Sequence, residues 1–183
     1  IVHKHSTIFI HIPKTAGRSI AKGLFSRNRD RHVMASGMRN LDPVNFATYF
    51  KFSVVRNPWD RLVSYYTMCR TSNAMSHRIL MQRCNLLYGS TTFANFIRLV
   101  EYVLAKEPGI LSDMGFESDF ELHPQRLWLY GDSDELLVDY VCRFETLHSC
   151  YNHLCETIGL SERKNNLPRI GASKRRGSYQ GSY

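Results

Sequence analysis

Two segments of the chain share one pattern: a short apolar stretch, a polar turn, and then the start of an amphipathic helix. They span residues 7–20 and 51–66. The apolar stretches, at 7–12 and 52–55, are rich in β-branched and aromatic residues and predict buried strands. Each turn carries a cation and hydroxyls where a helix begins, which is typical of phosphate sites. Two such sites predict a ligand with phosphates at two ends.

Strands and helices are predicted to alternate along the rest of the chain. Apolar periodicity predicts helices over 93–104 and 145–158 and strands over 126–130 and 138–144. This alternation favours an α/β domain with a mostly parallel sheet. Ligands of such sheets bind beyond the carboxyl ends of the strands, where both polar turns are expected to lie.

The helices that follow the two turns have local start signals. Thr15 is expected to cap the first helix, and Asn57 the second, with Pro58 in its first position. Residues 71–90 lack a strong period, and no element is assigned to them. Apolar residues at helical spacing predict the buried face of the second helix, namely Trp59, Leu62, Val63 and Tyr66.

Length and charge limit the domain count and the class of partner. The chain has 183 residues, which predicts one domain over 1–183, and its net charge of +8 favours an anionic partner. Nucleic acid, an acidic glycan, a membrane surface and a polyphosphate nucleotide all satisfy that charge. No apolar stretch is long enough for a membrane span. Because the chain starts at Ile1 and stops at Tyr183, truncation at one end or both stays open.

The cysteines and histidines predict neither a disulfide framework nor a metal site. Five cysteines without CxxC spacing argue against a dense set of disulfides and favour a reducing compartment. One cluster has residue types that suit zinc, but its offsets do not converge on one face of a helix. The cluster consists of His148, Cys150, His153 and Cys155.

The first turn has the donors that a phosphate needs. Lys14 adds a point charge, Gly17 lets the backbone approach an anion closely, and Thr15 and Ser19 offer hydroxyls beside backbone N–H groups. The Walker A spacing is absent. The alternative interpretation is an ordinary capped helix with a surface lysine.

The second turn pairs a long cation with a hydroxyl. Arg56 precedes the helix, and Ser64 lies seven positions after Asn57, on nearly the same helical face. Both side chains could therefore bind one phosphate. The alternative is that Arg56 pairs with Asp60 and Ser64 is merely solvated.

Taken together, the stretches IHIPKTAGRSI and VRNPWDRLVSYY resemble the PAPS-dependent sulfotransferases, within them the membrane-type carbohydrate branch and its bacterial relatives. Weaker similarity follows at Pro124-Gln125, 143–147, Leu167-Pro168 and 173–175. The resemblance implies a P-loop-like, three-layer α/β/α fold. It also implies transfer of a sulfonyl group from 3′-phosphoadenosine 5′-phosphosulfate (PAPS) to an acceptor hydroxyl.

The resemblance implies roles for individual residues. Lys14 would contact the bridging oxygen and stabilise charge on the leaving phosphate. The 5′-phosphate would be held by Thr15, Ala16, Gly17, Arg18 and Ser19, and the 3′-phosphate by Arg56 and Ser64. A loop that contains Ser173, Lys174 and Arg176 would fold over the nucleotide, although Gly171 stands where many members have Asn.

The general base is also inferred from the resemblance. Arg31-His32-Val33 is similar to a Gly-His-Val stretch of the uronyl 2-O-sulfotransferases, which implies that His32 accepts the acceptor's proton. A histidine that is neutral near pH 7 suits that task. In those enzymes a second histidine precedes by two positions, where this chain has Asp30. His123 is the alternative base, and a structural role for His32 is the remaining interpretation.

The sequence therefore predicts a sulfotransferase that needs no metal. Its partners would be PAPS or adenosine 3′,5′-bisphosphate and an acidic or neutral glycan, and nucleic acid is not expected. One alternative is a polyanion-binding module without catalysis, and another is a nucleotide-kinase-like phosphotransferase. A bacterial-type cytoplasmic location is favoured, with the Golgi lumen as the alternative if an anchor has been removed. Residues 68–123 are expected to choose the acceptor.

Overall fold

A computed structural model of the protein describes residues 1–27, 31–105 and 122–170. Its central feature is a parallel sheet of β1 (Thr7–Ile10), β2 (Phe50–Val55) and β3 (Tyr140–Arg143), in the order β1-β2-β3. Thr7 lies opposite Phe50, and Phe52 lies opposite Tyr140. All three strands therefore end at one edge of the sheet. The α/β fold with a parallel sheet is confirmed.

Burial explains why the strands of this sheet read as continuous apolar stretches. All four residues of β1 are buried, and so are the three central residues of β2, Phe52 to Val54. Parallel strands that are covered on both faces show such stretches rather than alternation. The polar Ser53 satisfies its hydroxyl by donating to the carbonyl oxygen of Ile10 at 2.7 Å.

Helices connect and extend the strands within the described residues. They are α1 (Gly17–Phe25), α2 (Ala35–Leu41), α3 (Pro43–Thr48), α4 (Pro58–Thr71), α5 (Met75–Tyr88), α6 (Phe93–Ala105), α7 (Gln125–Leu129) and α8 (Leu147–Thr157). Short 3₁₀ turns occur at His3–His5, Phe144–Thr146 and Ser161–Arg163. None of the described helices is long and apolar enough to cross a membrane.

The chain divides into two compact units. The first, Ile1–Asn57 with His123–Ala172, contains the sheet, α1 to α3, α7 and α8. Its core joins residues of β1, β2, β3, α1 and α8, among them Phe9, Leu24, Phe52, Cys142 and Leu154. In the second unit, α4 to α6 pack around a separate core that includes Tyr65, Cys69, Leu80, Phe96 and Leu99. The single domain over 1–183 stays a prediction.

Several predicted elements agree with the structure. The helix expected over 93–104 is α6, the strand over 138–144 is β3, and the helix over 145–158 is α8 with the 3₁₀ turn before it. The helix after the second polar turn, α4, begins at Pro58 as expected.

One predicted element is wrong, and one unassigned stretch contains a helix. The strand expected over 126–130 is the helix α7, because a short apolar stretch does not distinguish strand from helix by periodicity alone. The unassigned residues 71–90 contain α5. Its apolar period is weak because Leu86 and Leu87 are exposed although Leu80 and Cys84 are buried.

The buried face predicted for the helix after the second polar turn, which is α4, is also wrong in part. Val63 is buried, but Trp59 is 51% exposed, whereas Tyr65 and Cys69 belong to the core of the second unit. Edge contacts between Tyr65 and Phe96, at 5.9 Å between ring centroids, help to set this face. Leu62 and Tyr66 are partly buried against the same core, so the buried face of α4 keeps most of the predicted stripe, loses Trp59 and gains Tyr65 and Cys69.

Candidate functional site

The candidate site lies where the strands end. β1 continues into residues 11–16, which we call the first turn, and α1 follows it. β2 continues into Arg56 and Asn57, which we call the second turn. Beyond β3, Phe144 begins a 3₁₀ turn. The carboxyl ends of the strands in an open parallel sheet are the usual position of a ligand site.

The backbone of the first turn alternates in handedness. Lys14 has φ 69° and Ala16 has φ 67°, and Thr15 between them does not have positive φ. Such alternation forms a concave nest of N–H groups that binds anions. Each left-handed non-glycine residue costs about 1–2 kcal/mol, and observed strain of this kind is typical of ligand sites.

Thr15 does not cap α1, contrary to the sequence prediction. Its side chain is completely buried, and its hydroxyl donates to the carbonyl oxygen of Ile12 at 2.9 Å. The residue before the helix is the left-handed Ala16, whose carbonyl accepts from the backbone N–H groups of Ser19 and Ile20. The hydroxyl of Thr15 therefore braces the turn.

The imidazole ring of His11 leaves no space for a side chain at position 17, which explains the glycine there. A Cβ atom at Gly17 would lie 1.9 Å from Cδ2 and Nε2 of that ring. His11 is 5% exposed and stacks on Phe9. Burial, with a smaller contribution from the nearby charge of His32, lowers the pKa of His11 to about 3. His11 is therefore a neutral part of the wall that supports the turn.

The orientation of His32 fixes which of its nitrogens can act as a base. Nδ1 of His32 lies 2.9 Å from the carbonyl oxygen of His11. A carbonyl can only accept, so Nδ1 carries the proton and Nε2 of the neutral ring carries the free lone pair. The half-buried ring is 4.3 Å from the ring of His11 and 6.2 Å from that of Trp128, between centroids.

Three neighbours hold Arg56. Gln125 accepts from its backbone N–H at 2.9 Å and donates to its carbonyl at 2.7 Å, as a neighbouring strand would. The guanidinium carbon lies 4.0 Å from the centroid of the Phe144 ring. Nη1 donates to the carbonyl oxygen of Lys14 at 3.3 Å. The first and second turns are thereby in direct contact.

Other predicted site residues lie around this contact or apart from it. Ser19 is buried, and its Oγ accepts from the backbone N–H of Ile170 at 3.1 Å. Arg18 is exposed on α1. Ser64 is half-buried on α4 of the second unit. The predicted contacts Ser173, Lys174 and Arg176, and also Asp30, lie outside the described residues.

Sequence reasoning gave no role to Gln125, Phe144 or Glu145, although all three stand beside the second turn. Oε1 of Glu145 accepts from the backbone N–H of Asn57 at 2.7 Å. The available signal was the weaker family similarity at residues 124–125 and 143–147. The alternative base, His123, is half-buried and lies two residues ahead of Gln125.

The described residues include no group of three or more His, Cys, Asp or Glu side chains that could hold a metal ion. Cys150 and Cys155, from the cluster considered for zinc, lie in the core of the first unit. The five cysteines are all buried free thiols. Burial in the core explains their presence in the sequence.

Comparison with known proteins gives one match. No curated protein and no solved structure shows significant similarity to the chain. A model of the sulfotransferase family matches residues 1–180. Because this match covers nearly the whole chain and includes both turns, the protein belongs to the sulfotransferase family.

Proposed function

We propose that the protein transfers a sulfonyl group from PAPS to an acceptor hydroxyl on a carbohydrate. The observation that carries the proposal is the contact between Arg56 and the carbonyl of Lys14, 3.3 Å long. It joins a cation suited to one phosphate and a backbone nest suited to another at one edge of the sheet. PAPS carries phosphates at two ends of one nucleoside, which matches that pair.

The chemistry of the first turn fits the 5′ end of the donor. The N–H groups of residues 15–18 belong to a nest and to the first turn of α1, and both favour anions. Lys14 would stabilise the charge that develops on the leaving phosphate. The hydroxyl of Thr15 already donates to Ile12, so the backbone N–H of Thr15 is the group proposed to bind phosphate.

Contacts with the 3′-phosphate are proposed for Arg56, whose guanidinium has five N–H donors. Phe144 and Gln125 restrict its position, which lowers the entropy lost when it binds. Ser64, Ser173, Lys174 and Arg176 are proposed as further phosphate contacts on the family resemblance alone.

His32 is the proposed general base. Its Nδ1 is engaged with the carbonyl of His11, which leaves Nε2 to take the proton as the acceptor oxygen forms its bond to sulfur. The bond between sulfur and the bridging oxygen breaks, and adenosine 3′,5′-bisphosphate leaves. Lys14 and His32 thus act on the leaving oxygen and the attacking oxygen respectively.

The first test is calorimetric titration with adenosine 3′,5′-bisphosphate, with adenosine 5′-monophosphate as the control ligand. We expect tight binding that depends on the 3′-phosphate. Absence of binding by a folded protein would contradict the proposal and favour a polyanion-binding module.

The acceptor is then identified with PAPS labelled in its sulfonyl group. We expect label to pass to an acidic or neutral oligosaccharide rather than to nucleic acid. Transfer only to a phenol or a tyrosine side chain would contradict the carbohydrate part of the proposal and leave sulfonyl transfer intact.

A further inference from the structure

We propose that Arg56 has a second role, as a positioning residue for the first turn. The inference rests on the proposed function and deepens it, because Arg56 would then support recognition of the 5′ end of the donor as well as the 3′ end. The structural basis is the bond from Nη1 of Arg56 to the carbonyl oxygen of Lys14.

The bond acts on a strained part of the backbone. Lys14 is left-handed, with φ 69°, a conformation that a lysine rarely adopts without support. The carbonyl of this residue is the acceptor for Arg56. A charged donor gives a stronger hydrogen bond than a neutral one, so the bond offsets part of the cost of the conformation.

Peptide planarity carries the effect to the proposed phosphate donors. The described chain has no cis peptide bond, so the carbonyl of Lys14 and the N–H of Thr15 lie in one plane and point in opposite directions. A bond that holds the carbonyl therefore also holds the direction of that N–H. Thr15 is the first residue of the proposed 5′-phosphate donors.

Arg56 is itself restrained well enough to serve as a fixed support. Gln125 makes two hydrogen bonds to its backbone, and the ring of Phe144 lies under the guanidinium. Because the fork of an arginine has five N–H donors, it can bind a carbonyl and a phosphate oxygen through different nitrogens. A lysine offers a single ammonium and no planar face to stack on Phe144.

The test uses adenosine 5′-phosphosulfate, a ligand that has the sulfated 5′-phosphate but no 3′-phosphate. If Arg56 bound only the 3′-phosphate, Arg56→Ala would leave the dissociation constant for this ligand unchanged. We expect it to rise by about tenfold, as for the loss of one charge-assisted hydrogen bond. Arg56→Lys keeps the charge and should recover the 3′-phosphate preference more fully than the affinity for this ligand.

A matched control separates this effect from the loss of charge. Arg78 is an exposed arginine on α5 of the second unit, and Arg78→Ala should not change the affinity for adenosine 5′-phosphosulfate.

Phe144→Leu provides a second variant that removes no charge and still releases the guanidinium of Arg56. It should weaken the same ligand. Hydrogen exchange of the amides of residues 14–17 should be faster in Arg56→Ala and Phe144→Leu, and unchanged in Arg78→Ala.

The outcomes distinguish this inference from the proposed function. If the unaltered protein does not bind adenosine 3′,5′-bisphosphate, the proposed function is overturned. Preserved 3′-dependent binding, with affinity for adenosine 5′-phosphosulfate unaffected by Arg56→Ala and by Phe144→Leu, would overturn the positioning role alone. If Arg56→Ala does not fold, Phe144→Leu decides the question by the same two measurements.

Discussion

His11 is a buried residue whose protonation opposes folding. It lies against Gly17 and Phe9, and burial lowers its pKa from 6.5 to about 3. Between these two pKa values the unfolded chain binds a proton that the folded chain does not bind. The free energy of unfolding therefore rises with pH through this window and is constant, as far as this residue is concerned, above pH 6.5.

We expect His11→Phe to reduce the acid sensitivity of the fold. Lowering the pH from about 6.5 to about 5 should cost the unaltered protein about 2 kcal/mol through His11, at about 1.4 kcal/mol per pH unit. Phenylalanine keeps a ring over Gly17 and cannot be protonated. Urea unfolding at about pH 5 and about pH 7.5 measures the change within each protein, so a constant packing difference cancels. An equal loss in both proteins would refute the assignment.

His32 has a positional bond that can be kept while its basic nitrogen is removed. In His32→Asn the side-chain amide can still donate to the carbonyl of His11, but no nitrogen can accept a proton. We expect unchanged affinity for adenosine 3′,5′-bisphosphate and a loss of turnover of at least about a hundredfold. Calorimetry and a label-transfer assay measure the two quantities.

The control for that experiment is His123→Asn, which changes the alternative base in the same way. It should keep most of the turnover. If His32→Asn remains active and His123→Asn is inactive, His123 is the base.

At the scale of elements, the first turn is held in its strained shape by side chains that surround it. Ala16 occupies the left-handed region, whereas its neighbour Gly17 is limited by the ring of His11. The two adjacent positions therefore have different requirements. Position 16 requires a residue that tolerates positive φ, and position 17 requires a residue without a Cβ atom.

We expect Ala16→Gly and Gly17→Ala to have opposite effects on stability. Ala16→Gly removes the Cβ from a left-handed residue and should raise the free energy of unfolding by up to about 1 kcal/mol. Gly17→Ala would push a Cβ into His11 and should lower the free energy of unfolding by about 2 kcal/mol. Urea unfolding above pH 7, where His11 is neutral in both states, compares the two. Equal effects would contradict the described turn.

Elements with a local sequence pattern could be predicted from the sequence, whereas backbone handedness and long-range contacts could not. β1 and β2 were found because buried parallel strands are continuous apolar stretches followed by polar turns. The handedness of Ala16 has no local signal in the sequence, which is why the sequence predicts Thr15, and not Ala16, as the residue before α1. The pairing of Gln125 with Arg56 joins residues 69 positions apart, and no periodicity reports such a contact. The family similarity at Pro124-Gln125 located the segment but not its role.

At the scale of the whole molecule, charge is the property that bears on the acceptor. Lys and Arg total 24 against 16 Asp and Glu, which gives the net charge of +8. The proposed donor is anionic and uses part of this charge at the two turns. The remaining excess of positive charge would attract an acidic acceptor and raise the rate at which it associates with the protein.

We therefore expect salt to affect acidic and neutral acceptors differently. With saturating PAPS, kcat/KM for an oligosaccharide that contains uronic acids should fall by about tenfold between about 0.05 M and 0.5 M NaCl, because salt screens long-range attraction. A neutral oligosaccharide of the same length should change by less than about twofold, since its encounter with the protein gains nothing from the excess charge of +8. The affinity for adenosine 3′,5′-bisphosphate, measured at both salt concentrations, controls for weaker donor binding. Parallel responses of the two oligosaccharides would show that net charge does not select the acceptor.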